Sequence, residues 1–197
     1  AADRNLCSVN TVSNHEWVCM WATGPTTLNN VVQGNEIGLM TGGTATGGGW
    51  AGIGVWDGAT MTIGGTATGA GNRITGFGGD GIVIGGATVI PHAAAVGNHI
   101  WGNTGLAIDM NDDGATANDV NDADSGPNDY LNFPVISSVK VAGTTATVAF
   151  SLDVPARIDE ALAGMSLVLH CAGPFSRTSK PMADACLRTR THYLDLT

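Results

Sequence analysis

The chain has 197 residues, enough for one sizeable core or for one domain with an appendage. Its formal net charge of −9 disfavours nucleic acid and anionic membranes as partners, because phosphate affinity needs Lys and Arg; calcium or neutral sugars suit such a surface better. No apolar run reaches the length of a membrane span, so no membrane insertion is expected, and a first residue of Ala with no visible signal peptide fits a mature secreted chain or a fragment equally.

The composition changes near Pro155. Residues 1–150 hold 27 of the 29 glycines and 12 acidic against 3 basic residues, a net of −9. Residues 151–197 hold 5 acidic and 5 basic residues, a net of zero. The first part is written in short Gly-, Asn- and Thr-rich units. The second alternates helical and apolar strand patterns. Function is therefore expected before Pro155.

From the N-terminus, Cys7 and Cys19 either pair in an oxidising compartment or stay as buried thiols. Three repeated units follow. Gly42-Gly43-Thr44-Ala45-Thr46-Gly47 recurs as Gly64-Gly65-Thr66-Ala67-Thr68-Gly69, 22 residues on. Gly-Asn-x-Ile occurs at Gly34–Ile37, Gly71–Ile74 and Gly97–Ile100. Gly-x-x-Ile/Val occurs at Gly52–Val55, Gly81–Ile84 and Gly105–Ile108. Period-two apolar positions such as Ile82 and Ile84 predict strands of three to five residues, and glycine permits positive-φ corners between them. Asparagine at a repeated corner stacks on its copies, each amide bonding to the next. One coil cannot bury its inward face, so stability comes from stacking neighbours, and glycine density argues against helix. Coils of about 20–30 residues with two or three strands form a parallel β-helix.

Asn30–Gly38 and Ile63–Ile74 resemble the repeat of right-handed parallel β-helix proteins of the bacterial secreted and surface type. The stretch Gly102–Asp109, with Asn118-Asp119, Asp122–Asn128 and Asn132–Val135, is similar to the close of such a helix. The resemblance covers roughly residues 5–154. It implies a mainly β fold, a right-handed parallel β-helix (solenoid), and a strand pair after it. Val139–Val141 and Thr147–Phe150, joined at Gly143, supply those strands. The expected domains are 1–134 for the β-helix with its acidic terminal loop 109–129, 135–154 for the strand pair, and 155–197 for a truncated Rossmann-like α/β tail.

Chemistry in this part centres on acidic residues. Asp109–Asp129 contains seven Asp and four Asn. Asp109-Met110-Asn111-Asp112-Asp113-Gly114 matches the opening of a calcium loop, but Val120 stands where a bidentate Glu would close it. Asp119, Asn121, Asp122 and Asp124 are the other oxygen donors. The expected calcium ligands are Asp109, Asn111, Asp113, Asp119, Asp122 and Asp124; the competing reading is a solvated, turn-rich loop. Many β-helix proteins cleave polysaccharides, which needs paired carboxylates or a base beside bound calcium. The weak catalytic candidates are Asp57, Asp80 and Asp109, with Arg73 as the sole basic residue between Arg4 and Lys140; His92 and His99 are further acid–base groups. The spacing pairs none of them. Trp50, Trp56 and Trp101 are candidate platforms for sugar stacking, with burial as coil caps the alternative.

After Pro155, Ile158–Gly164 reads as a helix capped by Asp153, Leu167–Cys171 as a buried strand, and Met182–Arg188 as a helix capped by Ser179, with Cys171 and Cys186 in a core. Tyr193–Leu196 reads as a second strand. Leu169–Thr178, Ala185-Cys186 and Thr191–Thr197 resemble a fragment of saccharopine-dehydrogenase-like reductases. There the turn matching Gly173-Pro174-Phe175 borders a dinucleotide. The glycine-rich phosphate loop of that family is absent, so no cofactor site is expected. The junction reads as a chimeric or truncated chain, or as an α/β cap on the β-helix end.

The expected function is an extracellular or cell-surface β-helix with a structural, adhesive or glycan-binding role, with calcium in the acidic loop. The alternative is a calcium-dependent polysaccharide lyase or glycosidase, and more remotely an inactive NAD(P)-dependent reductase fragment.

Overall fold

The computed structural model describes residues 5–40, 43–46, 48–86, 88–119, 124–152, 164, 166–170 and 175–195. The chain is mainly β and divides into two compact units: Ala1–Thr116 with Ser125–Tyr130, and Ala117–Asp124 with Leu131–Thr197.

The first unit is a β-solenoid. Its strands are β1 (Leu6–Ser8), β2 (Thr11–Val12), β3 (Val18–Thr23), β4 (Asn30–Gln33), β5 (Glu36–Ile37), β6 (Ala51–Trp56), β7 (Thr60–Gly64), β8 (Arg73–Thr75), β9 (Asp80–Gly85), β10 (His92–Val96), β11 (His99–Trp101) and β12 (Ile108–Met110). Every third strand joins the same parallel sheet. The first face runs β1-β4-β7-β10, the second β2-β5-β8-β11 and the third β3-β6-β9-β12. Each coil thus supplies three short strands.

Register places like on like. Cys7, Val32, Ile63 and Ala95 form an inward row on the first face. Val12, Ile37, Ile74 and Ile100 form one on the second. Met20, Ile53, Ile82 and Ile108 form one on the third. Ile37, Ile53, Ile63, Ile74 and Ile82 have no exposed surface. Each such burial contributes about 2–3 kcal/mol before chain entropy is charged against it. Cys7 and Cys19 are free thiols packed against this core from different sheets. Burial pushes the Cys19 thiol up to about 11.

The corner between the first and second faces carries an asparagine ladder. Asn10 donates from its backbone N–H (2.9 Å) and its Nδ2 (3.0 Å) to Asn35 Oδ1. Asn35 does the same to Asn72 Oδ1 (3.0 and 2.9 Å), and Asn72 to Asn98 Oδ1 (2.9 and 2.8 Å). Spare amide protons reach backbone carbonyls: Asn72 Nδ2 donates to Val32 O and Asn98 Nδ2 to Ile63 O. The steps of the ladder are 25, 37 and 26 residues, so coil length varies while the corner does not.

This geometry adds three details to the repeat pattern. The 22-residue recurrence of Gly-Gly-Thr-Ala-Thr-Gly is not a coil period. The described part of the first copy lies between β5 and β6, where Leu39 bridges Ala45 antiparallel, whereas the second runs from the end of β7 toward β8. Gly105–Ile108 does not align residue for residue with Gly81–Ile84, because Ile108 pairs with Ile82. Asp80 sits at that corner and takes the Leu106 N–H, at 2.5 Å, which sets the offset. A first Asn-x-Ile copy also exists, as Asn10-Thr11-Val12, with Thr11 beside Glu36 and Val12 beside Ile37. It is hidden because Val9 fills the position that Gly34 (φ 66°) fills one coil later. Val9 itself takes φ 56°, with 86% of its surface exposed.

The solenoid's last strand on the first face is closed by a side chain. Asn128 accepts the Ala93 N–H (2.7 Å), donates Nδ2 to Ala93 O (2.8 Å) and donates its N–H to Pro91 O (3.1 Å). The amide thus imitates a further strand at the edge of β10. The successive positive φ values of Asn128, Asp129 and Tyr130 (50°, 56° and 48°) build this turn.

In the second unit, β13 (Val135–Ala142) and β14 (Thr145–Ser151) form the expected antiparallel pair around Gly143-Thr144. Gly143 at φ 59° suits the first central position of a tight hairpin turn. β15 (Leu167–His170) and β16 (His192–Asp195) are parallel, with helix α1 (Phe175–Thr189) between them. The helix begins at Phe175, not after Ser179, and passes through Pro181; one proline removes one helical hydrogen bond without ending the helix. Met182, Ala185, Cys186 and Tyr193 pack together. The helix expected after Asp153, together with Cys171, Gly173 and Pro174, falls outside the described residues. Among the described residues no helix is long and apolar enough to cross a membrane.

Two outcomes follow. Asn72→Ala strands the buried Asn35 donors on one side and takes a donor from Asn98 Oδ1 and Val32 O on the other; it should cost about 3 kcal/mol in urea unfolding, against about 1 kcal/mol for Asn10→Ala at the exposed end of the ladder. Val9→Gly should raise stability by about 1 kcal/mol, because a β-branched residue at positive φ is replaced by the residue that position favours.

Candidate ligand-binding face

The outward side of the third face concentrates aromatic surface. Trp17 and Trp21 belong to the first coil, Trp50 and Trp56 to the second. Trp17 stacks on Trp21 (centroids 5.1 Å apart, planes at 24°) and on Trp50 (6.1 Å, 24°); Trp21 stacks on Trp56 (5.5 Å, 10°). Tilted contacts join Trp21 and Trp56 to Trp50 at 6.4 and 6.2 Å. These separations lie in the attractive range for aromatic pairs. Trp17 is 61% exposed and Trp21 39% exposed, so the group presents indole surface to solvent.

Glycine makes the arrangement possible. Trp21 pairs with Gly54, and Trp56 with Gly85. A Cβ on Gly54 would lie 2.7 Å from the Trp21 ring, and one on Gly85 would lie 2.7 Å from the Trp56 ring. Each ring therefore lies over a bare backbone one coil further on. Beneath them Val18, Ala51 and Val83 form a small apolar layer with Trp50 and Trp56. Sequence reasoning picked out Trp50 and Trp56 but not Trp17 and Trp21. The signal was the pairing of Trp with Gly across coils, which needs the register.

Carboxylates border the array. Asp80 opens β9 and is buried. Asp109 lies on β12 beside Val83 and is 3% exposed. Its Oδ2 accepts the Gly114 N–H at 3.0 Å, while its Oδ1 is buried with no hydrogen-bond partner. Burial chiefly, with Asp80 and Asp113 adding repulsion, holds the Asp109 carboxyl above the usual range. Asn111 and Asp112, both at positive φ (81° and 59°), turn the following loop. Burial, and then the charge of Asp80, raises the Asp112 carboxyl too, against a lowering influence of the nearby Trp50 side chain.

The remaining candidates lie elsewhere. Asp57 follows β6 at its end opposite Ala51, the residue that pairs with Asp80. Arg73 is on the second face, ion-paired to Glu36 at 2.8 Å and placed 5.5 Å over the Trp101 ring, which also stacks on His99 at 4.1 Å. Trp101 is therefore separate from the tryptophan array. Asp80 is close enough to act on the Asp109 and Asp112 carboxyls, whereas Arg73 lies on another face and Asp57 at the far end of β6.

The expected calcium donors are not gathered around one centre. Asn111 Nδ2 donates to Asp113 Oδ2 at 3.1 Å, and Asn132 brackets the backbone of Asp119, accepting its N–H and donating to its carbonyl. Asp119 and Asp124 belong to the second unit, and Asp122 is outside the described residues. Among the described residues, no three His, Cys, Asp or Glu side chains group to hold a metal ion.

A raised carboxyl pKa means that the native state binds the proton more tightly than the unfolded chain. Ionised Asp109 therefore lowers stability above its raised pKa, and the penalty disappears below the ordinary carboxylate range. Asp109→Asn should raise the melting temperature at pH 7, with the gain shrinking as pH falls through the carboxylate range; a scan of Tm against pH for both proteins checks this.

Compared with protein-family models, curated proteins and solved structures, the chain matches none of them.

Proposed function

We propose that the first unit is a glycan-binding β-solenoid of the extracellular or cell-surface kind. The observation that carries this reading is the contiguous, solvent-facing group of Trp17, Trp21, Trp50 and Trp56 on one face. A pyranose offers a flat set of C–H bonds that stacks on an indole face, and an extended β face suits an extended polymer. Trp17 and Trp21, the most exposed of the four, are the stacking residues in this reading. Trp50 and Trp56 support them from below.

The proposal extends the repeat pattern of Asn30–Gly38 and Ile63–Ile74 toward right-handed β-helices of secreted and surface proteins. The lyase or glycosidase alternative has less to stand on, since Arg73 is engaged by Glu36 on another face and Asp57 stands apart from Asp80 and Asp109. Calcium at Asp109, Asn111 and Asp113 rests on the sequence pattern and carries no step here.

The test is retention of the protein by a panel of insoluble polysaccharides, followed by tryptophan fluorescence titration with soluble oligomers of any that retain it. Trp17→Ala and Trp21→Ala should each weaken binding about tenfold, a loss of about 1.4 kcal/mol. Trp101→Ala, on the second face, should leave it unchanged. Equal losses at all three positions, or no retention by any polysaccharide, would overturn the proposal.

A further inference from the structure

We propose that one face of the β13–β14 hairpin is a self-association surface, which packs against the same face of a second copy of this chain. The surface belongs to the second unit, so it needs nothing from the glycan reading of the first.

Cross-strand register sorts the hairpin into two unlike faces. Ile136 opposes Phe150, Val139 opposes Val148 and Val141 opposes Ala146, so six apolar side chains share one face. The other face carries Ser138 opposite Ala149, Lys140 opposite Thr147 and Ala142 opposite Thr145, with Val135 at its end opposite Ser151. A β-bulge at Ser137 keeps this sorting intact. The register slips there by one residue, and Ser137 Oγ donates to Ala149 O at 3.1 Å. Strict alternation would put Ile136 in the row of Ser138 and Lys140; the extra residue returns it to the row of Val139 and Val141.

The apolar face is uncovered. Val148 is 47% exposed and Val141 73%, with Ile136, Val139 and Phe150 between them. A two-stranded hairpin is marginal in water unless its apolar face is packed, so this one calls for cover. At these fractions the five residues expose about 550 Å², and two copies face to face bury about 1,100 Å², which clears the threshold of a specific interface.

Three features select a second copy as the occupant. The face holds no charged or polar side chain, so it complements itself, and homodimer interfaces are the more apolar class. Val135–Ser151 includes no Asp or Glu, in a chain whose formal net charge is −9, so the copies meet where neither presents negative charge. Lys140 and the bulge oppose edge-to-edge strand pairing, which would give open chains. Face-to-face packing about a two-fold axis closes at two copies and leaves the polar faces in water.

The experiment is sedimentation velocity of the whole chain from about 1 to about 100 μM, the range in which an interface of this size dissociates. A single dimer should form, with no larger species. Val139→Glu and Val148→Glu, at the centre of the face, should each weaken it about tenfold or more, because each buries a charge in an apolar contact. Thr147→Glu adds the same charge on the opposite face, across from Lys140, and should leave dimerisation unchanged. Hydrogen exchange of the unsubstituted chain gives a second reading that no variant can spoil. Exchange in Val135–Ser151 should slow as concentration rises through the dimerisation range, while exchange in the solenoid stays constant.

A monomer at every concentration, species that grow without limit, or a dimer that Val139→Glu and Val148→Glu leave intact would each overturn the proposal. Equal weakening by Thr147→Glu would do the same. So would hairpin exchange that is equally slow at every concentration, the signature of a face covered within its own chain.

Discussion

The column of asparagine amides at one corner of the solenoid is the constraint on which the rest depends. Asn10, Asn35, Asn72 and Asn98 bond each to the next by two hydrogen bonds, from backbone and side chain together. Asn35 and Asn72 are almost wholly buried, where an unpaired amide is costly and a satisfied one allows a single arrangement. The ladder fixes where each coil turns, although the coils differ in length by more than ten residues. With the corner fixed, the alternation of strand residues decides the rest. Ile37, Ile74 and Ile100 fall inward in register, and Glu36, Arg73 and His99 fall in the row beside them.

The same register builds the third face. Its inward row is filled by apolar residues, Met20 and three isoleucines, so its outward row is free to carry chemistry without disturbing the core. Small residues at Gly54 and Gly85 leave room for indoles rooted one coil earlier. Asp80 serves both structure and electrostatics: its carboxylate takes the Leu106 N–H at a corner, and its charge acts on Asp109 and Asp112.

Much of the fold was legible because its signals are local. Gly-Asn-x-Ile announces a tight corner, at positive φ in Gly34 and Gly97, with a ladder amide and an inward apolar residue, in four consecutive positions. The copy at Val9–Val12 escaped because one residue differs and the pattern depends on glycine. The strand pair joined at Gly143 came from the resemblance to secreted β-helices, not from a local pattern. The candidate site was only partly legible. Trp50 and Trp56 are visible as aromatics, but their grouping with Trp17 and Trp21 depends on pairing across about thirty residues of sequence. Asp112 was passed over in favour of Asp109, Asn111 and Asp113, because the calcium-loop pattern assigns its position no ligand.

The overlap of each indole with a glycine of the following strand ties distant positions together. A tryptophan moved two coils along from Trp21, to Val83, gains nothing unless the residue it would cover, Asp109, also loses its side chain. Adding a side chain at Gly54 or Gly85 displaces a ring without touching any aromatic residue. The aromatic surface is thus inherited as pairs of positions, one large and one empty, and drift at a plain glycine can erase a binding surface whose tryptophans are all still present.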